Sequence, residues 1–417
     1  MKGFEAVIGY QREKAELMQI CDMIKNKEYY SRLGANLPRG VLIDGEPGLG
    51  KTLLATAFIK ESGLEHFIVR RTCKDGEFVK ELELTFESAK NLGKPCIVLL
   101  DDMDKFTTTE KSREEYVAVQ TCIDNVKDCE VFVIATINDD REIPDSLLRA
   151  GRFDKRINLV TPRGDDSCKI INYYMDQKNF LSDMNREDAS KMMEGHSCAE
   201  LETIINEAAI YAGYERKEKI ELDHLIRAYL RQAHSFDAIE DETDPEELER
   251  VAYHEAGHLV MLDLILEDSV GMATVSSKRG GFVKRCKSLK RRPHETLVAL
   301  AGKASVELKY GWIASGAQSD IRKASHLISG GYSESATGGF ALCDEFSNRE
   351  SPESTYRREV ASAARMEEYL FKAKEILASN MEYVEKVAKA LIEKRVLLNS
   401  DVKKIRESVV IKRVDIA

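Results

Sequence analysis

Residues 45–52 read GEPGLGKT, and this segment indicates the fold of the first part of the chain. It lies between the apolar run VLID (41–44) and the segment TLLATAFIKES (52–62), an order that predicts a strand, a glycine-rich loop and a helix. The spacing matches the phosphate-binding pattern G-x-x-x-x-G-K-[ST]. Backbone N–H groups of such a loop surround phosphates, while its lysine reaches the terminal phosphates and its threonine ligates Mg²⁺. We therefore predict a nucleotide site formed by Gly45, Glu46, Pro47, Gly48, Leu49, Gly50, Lys51, Thr52 and Leu53.

Further apolar runs of strand length lie on both sides of the helical segments that follow this loop. Strand-length runs separated by helices predict a parallel α/β sheet. From about 162 to 234 the pattern becomes helical, which predicts a small helical lid. The additional predicted strands are HFIVR (66–70), CIVLLD (96–101), VFVIATI (131–137) and RINLV (156–160).

Polar residues that follow the predicted strands supply candidates for nucleotide hydrolysis. Ligands bind at the carboxyl edge of a parallel sheet, where Asp101 is expected to hold Mg²⁺ through water and Asp102 to act as general base. Asn138, at the end of VFVIATI, is expected to orient the attacking water. In LLRAGRFD (147–154), Arg149 and Arg152 fit either surface ion pairs or fingers that act on the ATP of a neighbouring subunit. The context favours fingers.

The second decisive stretch is AYHEAGHLV at residues 252–260. The acidic segment before it predicts a helix start, with Asp244 as N-cap, Pro245 in the first turn and Glu247 completing a capping box. We expect this helix to run to about Leu266, so that HEAGH lies on it.

Two histidines four residues apart on a helix share one face, so His254 and His258 can offer ring nitrogens to one zinc ion. Glu255 is suited to take a proton from water, as in helical zinc hydrolases. Structural histidines on a buried helix are the alternative. A catalytic zinc needs a third protein ligand, and the residues alone leave several candidates open: Glu295, Glu307, Asp320 and His326.

Composition limits the class of protein. A length of 417 residues suggests two or three domains, and the net charge of −10 argues against nucleic acid as a partner. Nine scattered cysteines without a CxxC motif fit reduced thiols in a cytosolic compartment. No apolar run approaches the roughly 18 residues that cross a bilayer, so we expect a soluble chain.

Several of these stretches together resemble a known family. FEAVIGYQREKAEL, LPRGVLIDGEPGLGKT, PCIVLLDDMD, IATIND and LLRAGRFD resemble the AAA+ ATPase module, and GHSCAELETIINEAAIYA resembles its lid. The HEAGH that follows makes the chain similar to the FtsH-type AAA+ zinc metalloproteases. The resemblance spans nearly the whole chain and begins after the family's usual membrane-spanning N-terminus. It implies a protein located in the cytoplasm, or at the cytoplasmic face of a membrane if an anchor precedes this sequence.

The resemblance implies an architecture. An α/β AAA+ nucleotide-binding module with a parallel sheet (1–161) and a helical lid (162–235) is joined by an acidic linker (236–244) to a mainly α-helical zinc metalloprotease domain (245–417). It also implies a homo-oligomeric ring, commonly a hexamer, with ATP and Mg²⁺ between subunits, one catalytic Zn²⁺ per subunit and protein substrates.

The resemblance further implies roles for single positions. Adenine contacts are expected near Val7, Ile8 and His196. The segment SGAQSDIRKASHL (315–327) selects Asp320 as the third zinc ligand, and GGFVKR (280–285) corresponds to an edge strand that pairs with substrate backbone.

This sequence departs from the family at three points. Asp102 stands where the family has glutamate, and it is shorter by one methylene, roughly 1.5 Å. The aromatic-hydrophobic-Gly tripeptide of the family's pore loop is replaced by Lys74-Asp75-Gly76, unless Phe78 supplies the grip. Cys198 replaces a lid glycine.

The expected function is therefore an ATP-dependent zinc metalloendopeptidase that unfolds and degrades proteins. Two alternatives stay open. One is a peptidase ring with weak or uncoupled ATPase, and the other is a non-proteolytic ATP-dependent unfoldase or adaptor with a structural zinc.

Overall fold

The computed structural model of the chain describes residues 3–71, 75–106, 113–127, 129–139, 141, 143–149, 151–234, 244–276, 278, 280–311, 317–334 and 352–412. Its contacts divide the chain into two compact units. The first comprises Met1–Lys178 with Gly195–Asn206, and the second Asn179–Glu194 with Glu207–Ala417. The predicted lid contributes residues to both units, so the predicted domain limits stay a prediction.

A five-stranded parallel sheet forms the centre of the first unit, as the apolar runs predict. The strands pair in the order β2-β3-β4-β1-β5. Since all five strands run in parallel, the residues that follow them meet at one edge of the sheet. The strands are β1 (Gly40–Gly45), β2 (Glu65–Val69), β3 (Cys96–Leu100), β4 (Val131–Ile137) and β5 (Lys155–Leu159).

Helices cover both faces of this sheet, which explains why its strands are apolar on both sides. One face packs on a core that contains Phe78 and Phe86, and the other on a core that contains Leu17 and Phe58. The helices of the first unit are α1 (Gln11–Lys25), α2 (Lys27–Arg32), α3 (Lys51–Ser62), α4 (Asp75–Asn91), α5 (Arg113–Asn125) and α6 (Asp165–Asp176). The helical segment that follows contains α7 (Arg186–Met193), α8 (Cys198–Tyr214) and α9 (Leu222–His234).

The helix that carries HEAGH is α10 (Pro245–Ile265), close to its predicted limits. The Asp244 side chain caps it by accepting hydrogen bonds from the backbone N–H groups of Glu246 and Glu247. The predicted second half of the capping box is wrong. The Glu247 carboxylate pairs with Arg250 instead, one turn further along the same helix.

The rest of the second unit is mainly helical. A small antiparallel sheet has the order β7-β6-β8, which puts β7 at an edge. None of the described helices combines the length and apolar character needed to span a membrane. The remaining elements are β6 (Val270–Ser276), β7 (Gly280–Arg285), α11 (Arg292–Tyr310), α12 (Gln318–Glu334), α13 (Pro352–Ser379), α14 (Met381–Lys394), β8 (Val396–Leu398) and α15 (Asn399–Glu407). A parallel sheet followed by this helical region confirms the predicted fold class.

Candidate nucleotide and metal sites

The glycine-rich loop turns from β1 into α3 through residues in the left-handed region. Gly48 and Gly50 have φ of 80° and 88°, a conformation that side chains other than glycine rarely adopt. The carbonyl oxygen of Gly48 also accepts a hydrogen bond of 3.1 Å from the backbone N–H of Ala199. A Cβ on Gly48 would lie 3.0 Å from the Ala199 Cβ, so the loop lies closely against the start of α8.

Lys51 begins α3 and is buried beneath the loop. Its Nζ donates hydrogen bonds to the carbonyl oxygens of Gly45 (2.7 Å) and Glu46 (2.8 Å). Burial lowers the pKa of Lys51, while four surrounding carboxylates oppose that change. The ammonium group is therefore held at the centre of the loop.

Thr52 and Asp101, the two predicted magnesium residues, converge. The Thr52 hydroxyl donates to Asp101 Oδ1 over 2.8 Å, and the Thr136 hydroxyl donates to the same oxygen over 2.8 Å. The other carboxylate oxygen accepts a hydrogen bond of 2.9 Å from Arg70 Nε. These contacts fix the carboxylate at the carboxyl edge of the sheet beside the loop.

Asp102, the presumed base, is held in an unusual backbone conformation with a φ of 54°. Its N–H donates to the Thr136 hydroxyl over 2.8 Å, and its carboxylate accepts a hydrogen bond of 2.6 Å from Lys105. Lys105 could not be predicted from the sequence as a partner of the base.

Asn138 lies at the same edge and has a partner that sequence reasoning did not identify. Its side-chain amide donates to Asp104 Oδ2 over 2.8 Å. Asp104 is the last acid of the quoted stretch DDMD, so its position two residues after Asp102 was the available signal.

The two candidate finger arginines differ in their surroundings. Arg152 forms a bidentate ion pair with Asp124, with Nε–Oδ1 and Nη2–Oδ2 distances of 3.1 and 2.7 Å, and its third nitrogen donates to the Ser146 carbonyl. The Arg149 side chain is exposed and makes no hydrogen bond or ion pair with the residues that the structure describes. Nothing in the sequence pointed to Asp124.

The three residues expected near adenine are buried or half-buried. Val7 is buried and Ile8 half-buried, and the His196 Nδ1 lies 3.7 Å from Glu200 Oε2. A cavity of about 920 Å³ opens beside the loop, and the described residues that line it do not include Val7, Ile8 or His196. Its lining includes Tyr10, Asp44, Gly45, Glu46, Pro47, Leu49 and Asn138.

The structure shows the surroundings of two residues that bear on the departures from the family pattern, Phe78 and Cys198. Phe78 is fully buried, with its ring centroid 4.8 Å from that of Phe106, and this burial contradicts the alternative in which Phe78 supplies the grip. Lys74 lies outside the described residues. The Cys198 Sγ lies 3.9 Å from the Tyr10 hydroxyl and 4.0 Å from the Leu49 carbonyl oxygen, so it packs against the end of the loop.

In the second unit, His254, His258 and Asp320 bring three donor atoms together. The two Nε2 atoms are 3.1 Å apart, and they lie 3.1 and 3.3 Å from Asp320 Oδ2. Tetrahedral zinc with bonds of about 2.0–2.1 Å separates its ligand atoms by about 3.3 Å. The triangle of donor atoms therefore has the size and chemistry of three zinc ligands.

A backbone carbonyl group fixes the orientation of His258. His258 Nδ1 lies 2.7 Å from the Val298 carbonyl oxygen, so Nδ1 carries the proton and Nε2 presents its lone pair to the triangle. Helix α11 passes so close that a Cβ on Gly302 would lie 2.5 Å from His258 Nε2. Gly257 permits the crossing of α10 and α11, because a Cβ there would lie 2.3 Å from the Ala301 carbonyl oxygen.

Glu255 is buried beside the triangle. Burial raises the pKa of its carboxyl to about 7, in the range suited to a general base. A Cβ on Gly281 of β7 would lie 2.6 Å from Glu255 Cγ, so this edge strand passes directly over the carboxylate. Both residues line a cavity of about 400 Å³ that also contains the three donor side chains.

The other candidate third ligands have different partners. Glu295 pairs with Arg285 over 2.9 Å, and Glu307 pairs with Lys303 and Lys374 over 2.5 and 2.6 Å. His326 is exposed on α12. Of the alternatives that the residues left open, the structure brings Asp320 to the histidines.

Two segments of the chain match known protein families. Residues 41–161 match the ATPase family associated with various cellular activities (AAA), and residues 241–405 match Peptidase family M41. A metalloprotease of this family implies zinc, and an AAA domain implies a nucleotide.

The chain is also similar to proteins named ATP-dependent zinc metalloprotease FtsH. It is 30% identical to that of Leptotrichia buccalis over 441 residues, 29% to that of Streptobacillus moniliformis over 443 residues and 30% to that of Mycoplasma genitalium over 440 residues. Each comparison covers 96% of this chain, which spans 56%, 63% and 62% of the length of these relatives. One segment of the chain therefore matches the AAA family, another matches peptidase family M41, and the chain as a whole is similar to the FtsH proteins over 96% of its length.

Proposed function

We propose that this chain is an ATP-dependent zinc metalloendopeptidase that unfolds and degrades proteins as a homo-oligomeric ring. The observation that carries the proposal is the triangle of His254, His258 and Asp320, with sides of 3.1, 3.1 and 3.3 Å, beside the buried Glu255. The names of the FtsH relatives support it.

The three donor residues would hold one Zn²⁺ per subunit. When bound, zinc lowers the pKa of a water molecule and polarises a peptide carbonyl. Glu255 takes a proton from the attacking water as the C–O bond forms, and then returns that proton to the departing amine as the C–N bond breaks. Its burial suits this role, because a pKa near 7 allows the carboxyl to accept and release the proton at neutral pH.

The substrate is an extended peptide. Strand β7 is an edge strand of the sheet that the structure describes, and its residues Gly280 and Gly281 line the metal cavity. Pairing with that edge uses main-chain hydrogen bonds and therefore accepts many sequences. Phe282 and Val283 supply apolar contacts for substrate side chains.

ATP with Mg²⁺ would bind at the glycine-rich loop, with Lys51 at the phosphates and Thr52 and Asp101 at the metal ion. The 2.8 Å hydrogen bond between Thr52 and Asp101 supports this assignment, since two Mg²⁺-binding groups must lie close together. Val7, Ile8 and His196 would border the adenine. In a ring, commonly a hexamer, Arg149 and Arg152 would act on the neighbour's ATP.

Two features of Asp102 favour a second candidate, a peptidase ring with weak or uncoupled ATPase. Asp102 is one methylene shorter than the family's glutamate, and its carboxylate is paired with Lys105 at 2.6 Å. The shorter side chain extends less far towards an attacking water, and the contact with Lys105 occupies one of its carboxylate oxygens.

Digestion of an unfolded and a stably folded protein, each with and without ATP, tests the two candidates together. ATP-driven loss of both substrates supports the full protease. Cleavage of the unfolded substrate alone supports the weak motor, and cleavage of neither overturns both.

A further inference from the structure

Three basic side chains line the metal cavity, each from a different element. Arg250 lies four residues before His254 on α10, Lys323 lies three residues after Asp320 on α12, and Arg285 ends β7. Residues three or four apart share a helix face. Arg250 and Lys323 therefore lie one turn from a donor of the metal triangle, on the face that carries it.

Two of these three cations form ion pairs with neighbouring carboxylates. Arg285 pairs with Glu295 over 2.9 Å, and Arg250 pairs with Glu247 over 2.7 Å. Lys323 is exposed and forms no hydrogen bond or ion pair within the described part of the chain. Outside the metal triangle and Glu255, the cavity therefore carries an unmatched positive charge, although the whole chain has a net charge of −10.

The reach of Lys323 sets which part of a substrate it contacts. Three residues along a helix rise about 4.5 Å, and an extended peptide advances about 3.3 Å per residue. A lysine one turn beyond Asp320 therefore reaches side chains within about two residues of the bond that is cut.

We propose that Lys323 determines specificity by selecting peptides with an acidic side chain within about two residues of the scissile bond. This inference rests on the proposed peptidase function. The expected substrates are acidic peptide segments. Their carboxylates would pair with Lys323, since Arg250 and Arg285 in the same cavity already have carboxylate partners.

The test compares quenched fluorescent peptides that differ only by Asp or Lys at each position flanking one mapped cleavage site. The zinc-loaded full chain should cleave the Asp peptides with a kcat/KM about two- to fivefold higher, and the preference should shrink with added salt. Lys323→Glu should reverse the ratio. Lys389→Glu, an equal charge change on an exposed side chain of α14, should keep it. Equal rates for both peptides, or a ratio that Lys323→Glu leaves unchanged, would overturn the proposal.

A binding arm separates this inference from the proposed function. Fluorescence anisotropy of the same peptides, each labelled with one fluorophore, is measured with Glu255→Gln and with Glu255→Gln combined with Lys323→Glu, so that no cleavage is needed. A charge preference in binding without cleavage by the wild type would support the role of Lys323 and overturn the peptidase. Cleavage without any preference would do the opposite, and absence of both would overturn both.

Discussion

Arg152 is held within its own subunit by Asp124, through two nitrogen–oxygen contacts of 3.1 and 2.7 Å, whereas Arg149 three residues earlier is exposed. We expect Arg149→Ala to lower turnover at the neighbour's site by about a thousandfold, because a finger stabilises charge on the transferred phosphate. Nucleotide binding should change little.

Arg152→Ala should also impair turnover, and Asp124→Ala should have a similar effect if the ion pair positions the arginine. Mixing mutant with wild-type subunits is the measurement. A mutant subunit that loses only the activity of its own nucleotide site would rule out action on the neighbour.

The second prediction concerns the short base. Asp102→Glu should raise ATP turnover by about tenfold or more, since the longer side chain brings the carboxylate nearer to the attacking water. Steady-state phosphate release measures the effect, and nucleotide affinity serves as the control because the loop is unchanged. Flat or lower turnover, together with rapid degradation of a folded protein by the wild type, would rule out the weak motor.

The third prediction concerns the glycine-rich loop. Lys51→Ala should weaken ATP binding by about 10- to 100-fold, the usual range for one lost hydrogen bond to a charged group. Lys60→Ala removes an equal charge from an exposed position in the last turn of the same helix and should leave binding unchanged. Titration with a fluorescent ATP analogue compares the two. Equal affinities would mean that Lys51 does not contact the phosphates.

The fourth prediction concerns Gly302, which sequence reasoning did not identify. A Cβ there would lie 2.5 Å from His258 Nε2 and 2.6 Å from His254 Cε1, so Gly302→Ala should weaken zinc affinity by about 10- to 100-fold. Gly213→Ala is the matched control, because a Cβ at Gly213 meets nothing within 4 Å. Competition with a chelator measures both. An unchanged zinc affinity in Gly302→Ala would show that the two histidines are not constrained by α11.

Local patterns predicted most of the fold, since strand-length apolar runs and the helix start at Asp244 depend on neighbouring residues. The pair of His254 and His258 was predictable for the same reason. The residues alone could not choose Asp320 over Glu295, because a third ligand 62 residues beyond His258 is brought there by tertiary packing.

The sequence could not predict two contacts, that of Asp124 with Arg152 and that of Gly302 with the histidines. Both depend on how elements that are distant in the sequence pack together. The capping role of Glu247 failed for a simpler reason. Arg250, one turn further on, is a better partner for a carboxylate than a backbone N–H group.

The proposed peptidase depends on Glu255 acting as a base beside a zinc ion held by His254, His258 and Asp320. The most direct measurement is zinc content and cleavage of an unfolded protein by Glu255→Gln, both relative to the wild type. We expect Glu255→Gln to keep the wild-type zinc content and to cleave about 10²–10⁴-fold more slowly. Cleavage by Glu255→Gln at the wild-type rate would contradict it.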